Sequence, residues 1–136
     1  VVQETIKKMI ANDTNILGAQ VIVLGLTFKE NCSDLRNSKV ADLVQGLQDF
    51  GCEVHVHDPM ANPEQALNEF GLKLSTWDHL PNDVDAIVAA VSHSEYTTQP
   101  IANLLAPLKA GGVFIDIKAS YEPEAVKATG AILWRL

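Results

Sequence analysis

The chain is 136 residues long, 47% hydrophobic and carries a formal net charge of −7, enough length for one well-filled core and too little for two ordinary domains. The acidic balance, with Lys and Arg nowhere clustered among aromatics, argues against a nucleic-acid partner. No apolar run reaches the roughly 18 residues of a membrane span, and the start lacks the charged and apolar regions of a signal peptide, so a soluble, cytoplasmic protein with no membrane partner is expected.

Val1 stands where Met would begin a natural chain, and the first helix opens without a capping residue, which points to a piece of a longer protein. Val2, Ile6, Met9 and Ile10 share one face of a helix over residues 1–11. VIVLG at 21–25 is an unbroken apolar strand of the kind buried on both faces of a parallel sheet. From Ser38 to Phe50, Val40, Leu43, Val44 and Leu47 repeat at helical spacing, and Gly51 is placed to cap the end. VHVH at 54–57 is a second strand, ended by Asp58-Pro59. Asn62, Pro63 and Gln65 supply an N-cap, a first-turn proline and a capping-box partner for a helix running to Phe70 and stopping at Gly71.

A short strand is expected at 72–74 and a buried, β-branched one at 85–91 (DAIVAAV). Ile101, Leu104, Leu105 and Leu108 mark a helix that Pro107 breaks, and Gly111-Gly112 turn the chain back. VFIDI at 113–117, a short helix after Pro123 and AILWR at 131–135 complete the series. Strands alternating with helices imply right-handed crossovers and a three-layer, Rossmann-like α/β fold. Its doubly wound parallel sheet is expected to hold about six strands in the order 3-2-1-4-5-6.

In such a sheet, ligands bind beyond the carboxyl ends of the strands where the order reverses, here between the first and fourth strands. The residues just past those ends are Thr27–Arg36, Asp58, Ser92–Tyr96 and Lys118. A dinucleotide loop at this place needs G-x-G-x-x-G, because only glycines let backbone N–H groups approach a pyrophosphate. GLTFKENCSDLR at 25–36 has one glycine, Gly25, and brings Lys29 and Arg36 instead. An anion held here would be gripped by side chains, each cation at about 4 Å giving roughly 4 kcal/mol of gross attraction at an effective dielectric near 20. The alternative for Lys29, Arg36 and Lys118 is a set of solvated charges paired with Glu30, Asp34 or Asp116.

The stretches VLGLTFKENCSDLRNSK, VHVHDP, VAAVSHSEY and FIDIK resemble the carboxyl-terminal domain of the UDP-glucose/GDP-mannose dehydrogenases, above all the bacterial UDP-N-acetylhexosamine 6-dehydrogenase branch. The resemblance covers nearly the whole chain, and its first stretch is the most specific. It implies that residues 1–15 end the central inter-domain and dimerisation helix, and that 16–136 form the UDP-sugar-binding domain. Phe28 and Lys29 match the family's F-K pair on the UDP-sugar, and Lys118 a basic residue on the nucleotide sugar. Arg36, closing the Asp34-Leu35-Arg36 triplet, matches an arginine that reaches NAD held mainly by an amino-terminal domain. The implied reaction is a two-step oxidation of the sugar C6 alcohol to a carboxylate for capsule or other surface polysaccharide, in a homodimeric enzyme whose NAD domain and helical middle domain would partner this one. The catalytic cysteine sits in a G-G-x-C-x-P type segment that this sequence lacks, so the chain alone is expected to be inactive, with no catalytic residue and no metal site of its own.

Other chemistry-bearing residues have plainer readings. Cys32 and Cys52 lack a C-x-x-C spacing and read as reduced thiols, a partly buried loop residue and a core residue. His55 and His57 share a strand face and with Asp58 sketch a metal site, but no third nitrogen or sulfur ligand lies near in sequence. His93, at the crevice edge, reads as structural before ligand-binding; His79 reads as surface loop. Asp58 reads as a turn aspartate before Pro59. Two rival classes remain open: a non-catalytic nucleotide-binding or assembly module, and a receiver-like signalling domain using Asp58 and Lys118. The second lacks the acidic pair such a domain needs after its first strand.

Overall fold

A parallel sheet forms the centre of the computed structural model, which describes residues 1–136. Its five strands are β1 (Gln20–Leu24), β2 (Glu53–His57), β3 (Val84–Ala89), β4 (Leu108–Asp116) and β5 (Ile132–Arg135), in the order β2-β1-β3-β4-β5. Helices α1 (Val2–Ala11), α2 (Val40–Asp49), α3 (Pro63–Phe70), α4 (Ser94–Thr97), α5 (Ile101–Leu104) and α6 (Pro123–Ala128) cover both faces. The alternation of side chains along each strand sorts the core into two parts. Val21, Val23, Ala86, Val88, Val113 and Ile115 pack with buried residues of α1, α2 and α3. Ile22, Leu24, Ile87, Ala89 and Phe114 pack on the other face with Tyr96, Leu104, Leu105 and Val126. No helix is long and apolar enough to cross a membrane.

The expected doubly wound α/β arrangement is present, with differences in detail. Residues 72–74 do not form a strand: Leu72 and Leu74 lean on the core beside β2, and only the Ser75 N–H bonds to it, donating to the Val56 carbonyl at 2.8 Å. The sheet therefore ends at β2 with five strands. The expected helix over Ile101–Leu108 is one turn, since Pro100 starts it and Pro107 forbids its continuation, and Leu108 opens β4. Gly111-Gly112 are not a reversal but lie inside β4, where a bulge lets Val84 pair with Leu108 and Ala86 with Val113. On α1, Ile6 and Met9 are buried but Ile10 faces solvent; Thr5 takes the inward place. On α3, Asn62 caps the Gln65 N–H at 3.1 Å as expected, whereas the Gln65 side chain turns to Glu69 and not back to the cap.

Strand register brings the carboxyl ends level. Leu24 lies opposite both His57 and Ala89, and Ala89 opposite Asp116. The segments beginning at Gly25, Asp58, Ala90 and Ile117 therefore leave the sheet along one rim.

Candidate functional site

Gly25 turns the chain out of β1 at φ +97°, and no other residue fits. A Cβ there would lie 2.5 Å from the Val91 Cβ and 2.8 Å from its backbone nitrogen, so the close approach of β1 and β3 exits depends on its absence. The loop beyond it is closed by the Phe28 N–H, which donates to the Asp34 carbonyl at 2.8 Å, and by Asn31 in the left-handed region at φ +56°. Ser38 anchors its far end, donating to the Leu26 carbonyl at 2.5 Å.

Asp58 holds the near end. Its Oδ2 accepts from the Leu26 N–H (2.6 Å), the Thr27 N–H (3.0 Å) and His93 Nε2 (3.0 Å), and its Oδ1 from Met60 (2.7 Å) and Ala61 (3.0 Å). Burial alone would raise this carboxyl, but the hydrogen bonds from His93 and from the Leu26, Thr27 and Met60 amides outweigh it and hold the group at about 2. The aspartate is thus a turn residue, as read from Asp-Pro, and also the junction of the β1, β2 and β3 exits. Its oxygens are fully engaged in a buried network, which is the wrong state for a phosphoacceptor. The same bonds occupy the backbone N–H groups of Leu26 and Thr27, so the first amides of the loop are not free to cradle a pyrophosphate.

Beside this junction, on the sheet face carrying α1 and α2, opens a cavity of about 620 Å³. Phe28, Lys29 and Lys118 line it, with Lys39, Val40 and Leu43 on the side of α2. Phe28 is 53% exposed, a large aromatic left uncovered at the cavity edge. Lys29, Lys39 and Lys118 form no ion pair with any carboxylate. Three unpaired cations around one hollow, on a chain of net charge −7, give it a locally positive lining. The volume suits a small-molecule ligand.

The structure brings Phe28, Lys29 and Lys118 together but leaves Arg36 outside the cavity lining. Its Nε and Nη2 lie 3.1 and 3.2 Å from the Asp34 carboxylate on the exposed rim. That bidentate contact holds the Asp34 carboxyl below its usual range and raises the guanidinium. Sequence reasoning missed Lys39, which immediately precedes the first residue of α2. The signal for it is its place at the start of the helix after β1, which bounds the crevice together with the loop. His93 is fully buried, its structural reading sharpened by its place against Asp58. His55 and His57 do share a face, but with separate partners: His55 Nε2 meets Gln20 Oε1 at 2.6 Å, and His57 Nδ1 lies 2.7 Å from the Tyr96 hydroxyl. Cys52 is buried, its thiol raised by burial; Cys32 is half-buried and accepts from the Asp34 N–H. His79 bonds Thr76 at the surface.

Residues 22–123, which contain the Gly25 turn, the loop, Asp58, His93 and Lys118, match the profile of the UDP-glucose/GDP-mannose dehydrogenase family, UDP binding domain. The chain belongs to this family. The UDP-N-acetyl-D-glucosamine 6-dehydrogenase of Pseudomonas aeruginosa is 40% identical over 119 residues, covering 87% of this chain and 28% of that protein. Protein CapL of Staphylococcus aureus is 36% identical over 138 residues, covering 100% of this chain and 31% of CapL. The chain therefore spans under a third of the length of these relatives. Among solved structures, the NDP-N-acetyl-D-galactosaminuronic acid dehydrogenase of Methanosarcina mazei Go1 superposes with a TM-score of 0.84 over 98% of this chain and 28% of its own, at 23% identity, a likeness of fold. In this UDP binding domain, the cavity at the carboxyl rim is the candidate nucleotide site.

Proposed function

We propose that the chain is the UDP-sugar-binding domain of an NAD-dependent UDP-sugar 6-dehydrogenase, and that Phe28, Lys29 and Lys118 hold the nucleotide sugar in the rim cavity. The observation that carries this reading is the meeting of those three residues, from two separate strand exits, around one hollow whose cations have no internal partner. Phe28 offers a flat apolar surface to the base, and the lysines offer point charges to the diphosphate. Arg36, clamped to Asp34 on the outer rim, is assigned to NAD held by another domain of the same enzyme. With Leu26 and Thr27 amides engaged by Asp58 and no glycine run, this chain's own loop does not fit a dinucleotide pyrophosphate, so NAD is held mainly elsewhere.

When bound in the complete enzyme, NAD supplies the hydride acceptor for oxidation of the sugar C6 alcohol to a carboxylate. The residues here bind and orient the substrate; none is assigned to bond breaking, and the chain alone reduces no NAD. The helix α1 is assigned to the end of the central helix that joins the domains and carries the dimer contact. On the same reading, the complete enzyme serves polysaccharide synthesis in the cytoplasm.

Calorimetric titration of the chain with UDP and UDP-N-acetylglucosamine tests the binding role. Saturable binding that Lys29→Ala weakens supports it, and no binding of either ligand refutes it. In the complete enzyme, Lys29→Ala raises KM for the UDP-sugar and Arg36→Ala raises KM for NAD, and unchanged kinetics in both variants counts against the assignment.

A further inference from the structure

The buried Asp58–His93 pair has no part in the binding role just described, yet it reaches the loop that carries two of the binding residues. Both side chains are sealed from solvent. His93 Nδ1 accepts the Asn31 N–H at 2.9 Å, so that nitrogen carries no proton in this arrangement; Nε2 then carries it and donates to Asp58 Oδ2 at 3.0 Å. The Thr27 hydroxyl, also fully buried as a residue, lies 3.2 Å from Nε2 and donates to the Lys29 carbonyl at 3.0 Å. Asp58 takes the Leu26 and Thr27 amides. The backbone is thus gripped at residues 26, 27 and 31 by groups from the ends of β2 and β3, and at residue 29 by the loop's own Thr27, on both sides of the two side chains that line the cavity. Asn31 adds a second tie, its Oδ1 accepting from the Ser94 N–H at 2.9 Å.

A loop whose side chains bind an anion gains affinity if its geometry is set in advance, because ordering then need not accompany binding. Exposed Phe28 and Lys29 cannot order the loop by their own burial, so the order must come from beneath. We propose that the buried Asp58–His93–Thr27 chain is the positioning device of the nucleotide site, fixing the 26–31 backbone so that Phe28 and Lys29 face the cavity before ligand arrives. This rests on the nucleotide reading of the cavity. The three residues are positioning residues and do not touch ligand.

Thr27→Val keeps shape and removes the hydroxyl that ties the Lys29 carbonyl. His93→Asn keeps an acceptor near the Nδ1 position and removes the donor to Asp58. Each is titrated with UDP, alone and combined with Lys29→Ala, with the unfolding midpoint measured alongside. Each single variant is expected to weaken UDP binding about 3- to 10-fold, the size of one hydrogen bond, in a chain that remains folded. In the Lys29→Ala background the further loss should shrink, because part of the device's effect passes through Lys29 and only the part through Phe28 remains; a general loosening would add in full. Losses that add fully, or no loss in whichever variant folds, overturn the proposal while leaving the cavity reading intact if Lys29→Ala alone still weakens UDP. Failure of the unaltered chain to bind UDP overturns both.

Discussion

Asp58→Asn is the most revealing single change, because it alters one atom of the junction and its effect has a sign at each pH. The carboxylate accepts five hydrogen bonds, three on Oδ2 and two on Oδ1. An amide must aim its NH₂ at one set of donors. The gentler choice keeps oxygen toward Leu26, Thr27 and His93 and faces the Met60 and Ala61 amides with a donor. Leaving two N–H groups without an acceptor, one of them buried, costs about 2–4 kcal/mol near pH 7. In the native chain the Asp58 carboxyl titrates at about 2 against an ordinary 3.8, a difference worth about 2 kcal/mol. Because the folded value is the lower, this contribution is complete above about pH 4 and is lost as pH falls toward 2, where the unfolded chain binds the proton first. The Asn variant has no such proton. Urea unfolding followed by Trp77 and Trp134 fluorescence should therefore show the two proteins about 2–4 kcal/mol apart at pH 7, converging by about 2 kcal/mol between pH 5 and pH 2. Parallel stability curves over that range, or a gap below about 1 kcal/mol at pH 7, would show that the junction does not hold the carboxylate as described.

Gly25→Ala should destabilise by at least ~2 kcal/mol in the same assay, from the left-handed backbone together with the collision at Val91; a near-neutral variant would refute the close approach. Lys39→Ala is expected to weaken UDP binding roughly 3- to 10-fold and to flatten its salt dependence, as loss of one charge on the cavity wall requires; unchanged affinity would place Lys39 outside the site. Lys118→Arg should bind UDP at least as tightly as the native chain in the same titration, since a guanidinium can meet phosphate with two parallel bonds, and a loss would mean that the cavity needs a compact cation. Burial, opposed in part by Asp58, keeps His57 below its ordinary 6.5, so its NMR titration midpoint should fall under that value. Because the unfolded chain then protonates first, His57 also lowers stability as pH drops below about 6.5, and a midpoint at or above 6.5 would refute its burial against Tyr96 and Trp77.

Much of the fold was legible because burial leaves a pattern. β1 and β3 are sealed on both faces, and that requirement writes unbroken apolar runs such as VIVL and AIVAA into the sequence. α2 follows from helical spacing and α3 from its Asn62 cap and first-turn Pro63, with Gly51 and Gly71 beyond their ends, both at positive φ. The misassigned elements are those where burial is one-sided or punctuation is ambiguous. Leu72 and Leu74 alternate like a strand because they pack on the core from its edge, but a ladder needs backbone partners, and only Ser75 finds one. Around residue 105, Leu104, Leu105 and Leu108 keep a helical spacing even though Pro100 and Pro107 leave room for a single turn, and Leu108 belongs to the bulged start of β4.

The site was legible in a different way, through what the first loop lacks. Without a glycine run, anion binding must pass to side chains, and the structure supplies the reason: the amides that a glycine loop would offer are turned inward to Asp58. That partner lies 32 residues from Leu26, and His93 a further 35 along, separations that leave no periodic or local trace. Lys29 and Lys118 could be placed at the rim because parallel strands must end on one edge, a rule of topology that needs no knowledge of contacts. Arg36 obeys the same rule yet stands outside the cavity, since the rule fixes where a segment leaves the sheet and says nothing of the neighbour that captures its side chain; Asp34, two residues away, does so here. Position along the rim was therefore written in the strand order, whereas orientation depends on polar partners distant in sequence. The buried junction, more than the exposed lysines, is where the specificity of this loop for one shape resides.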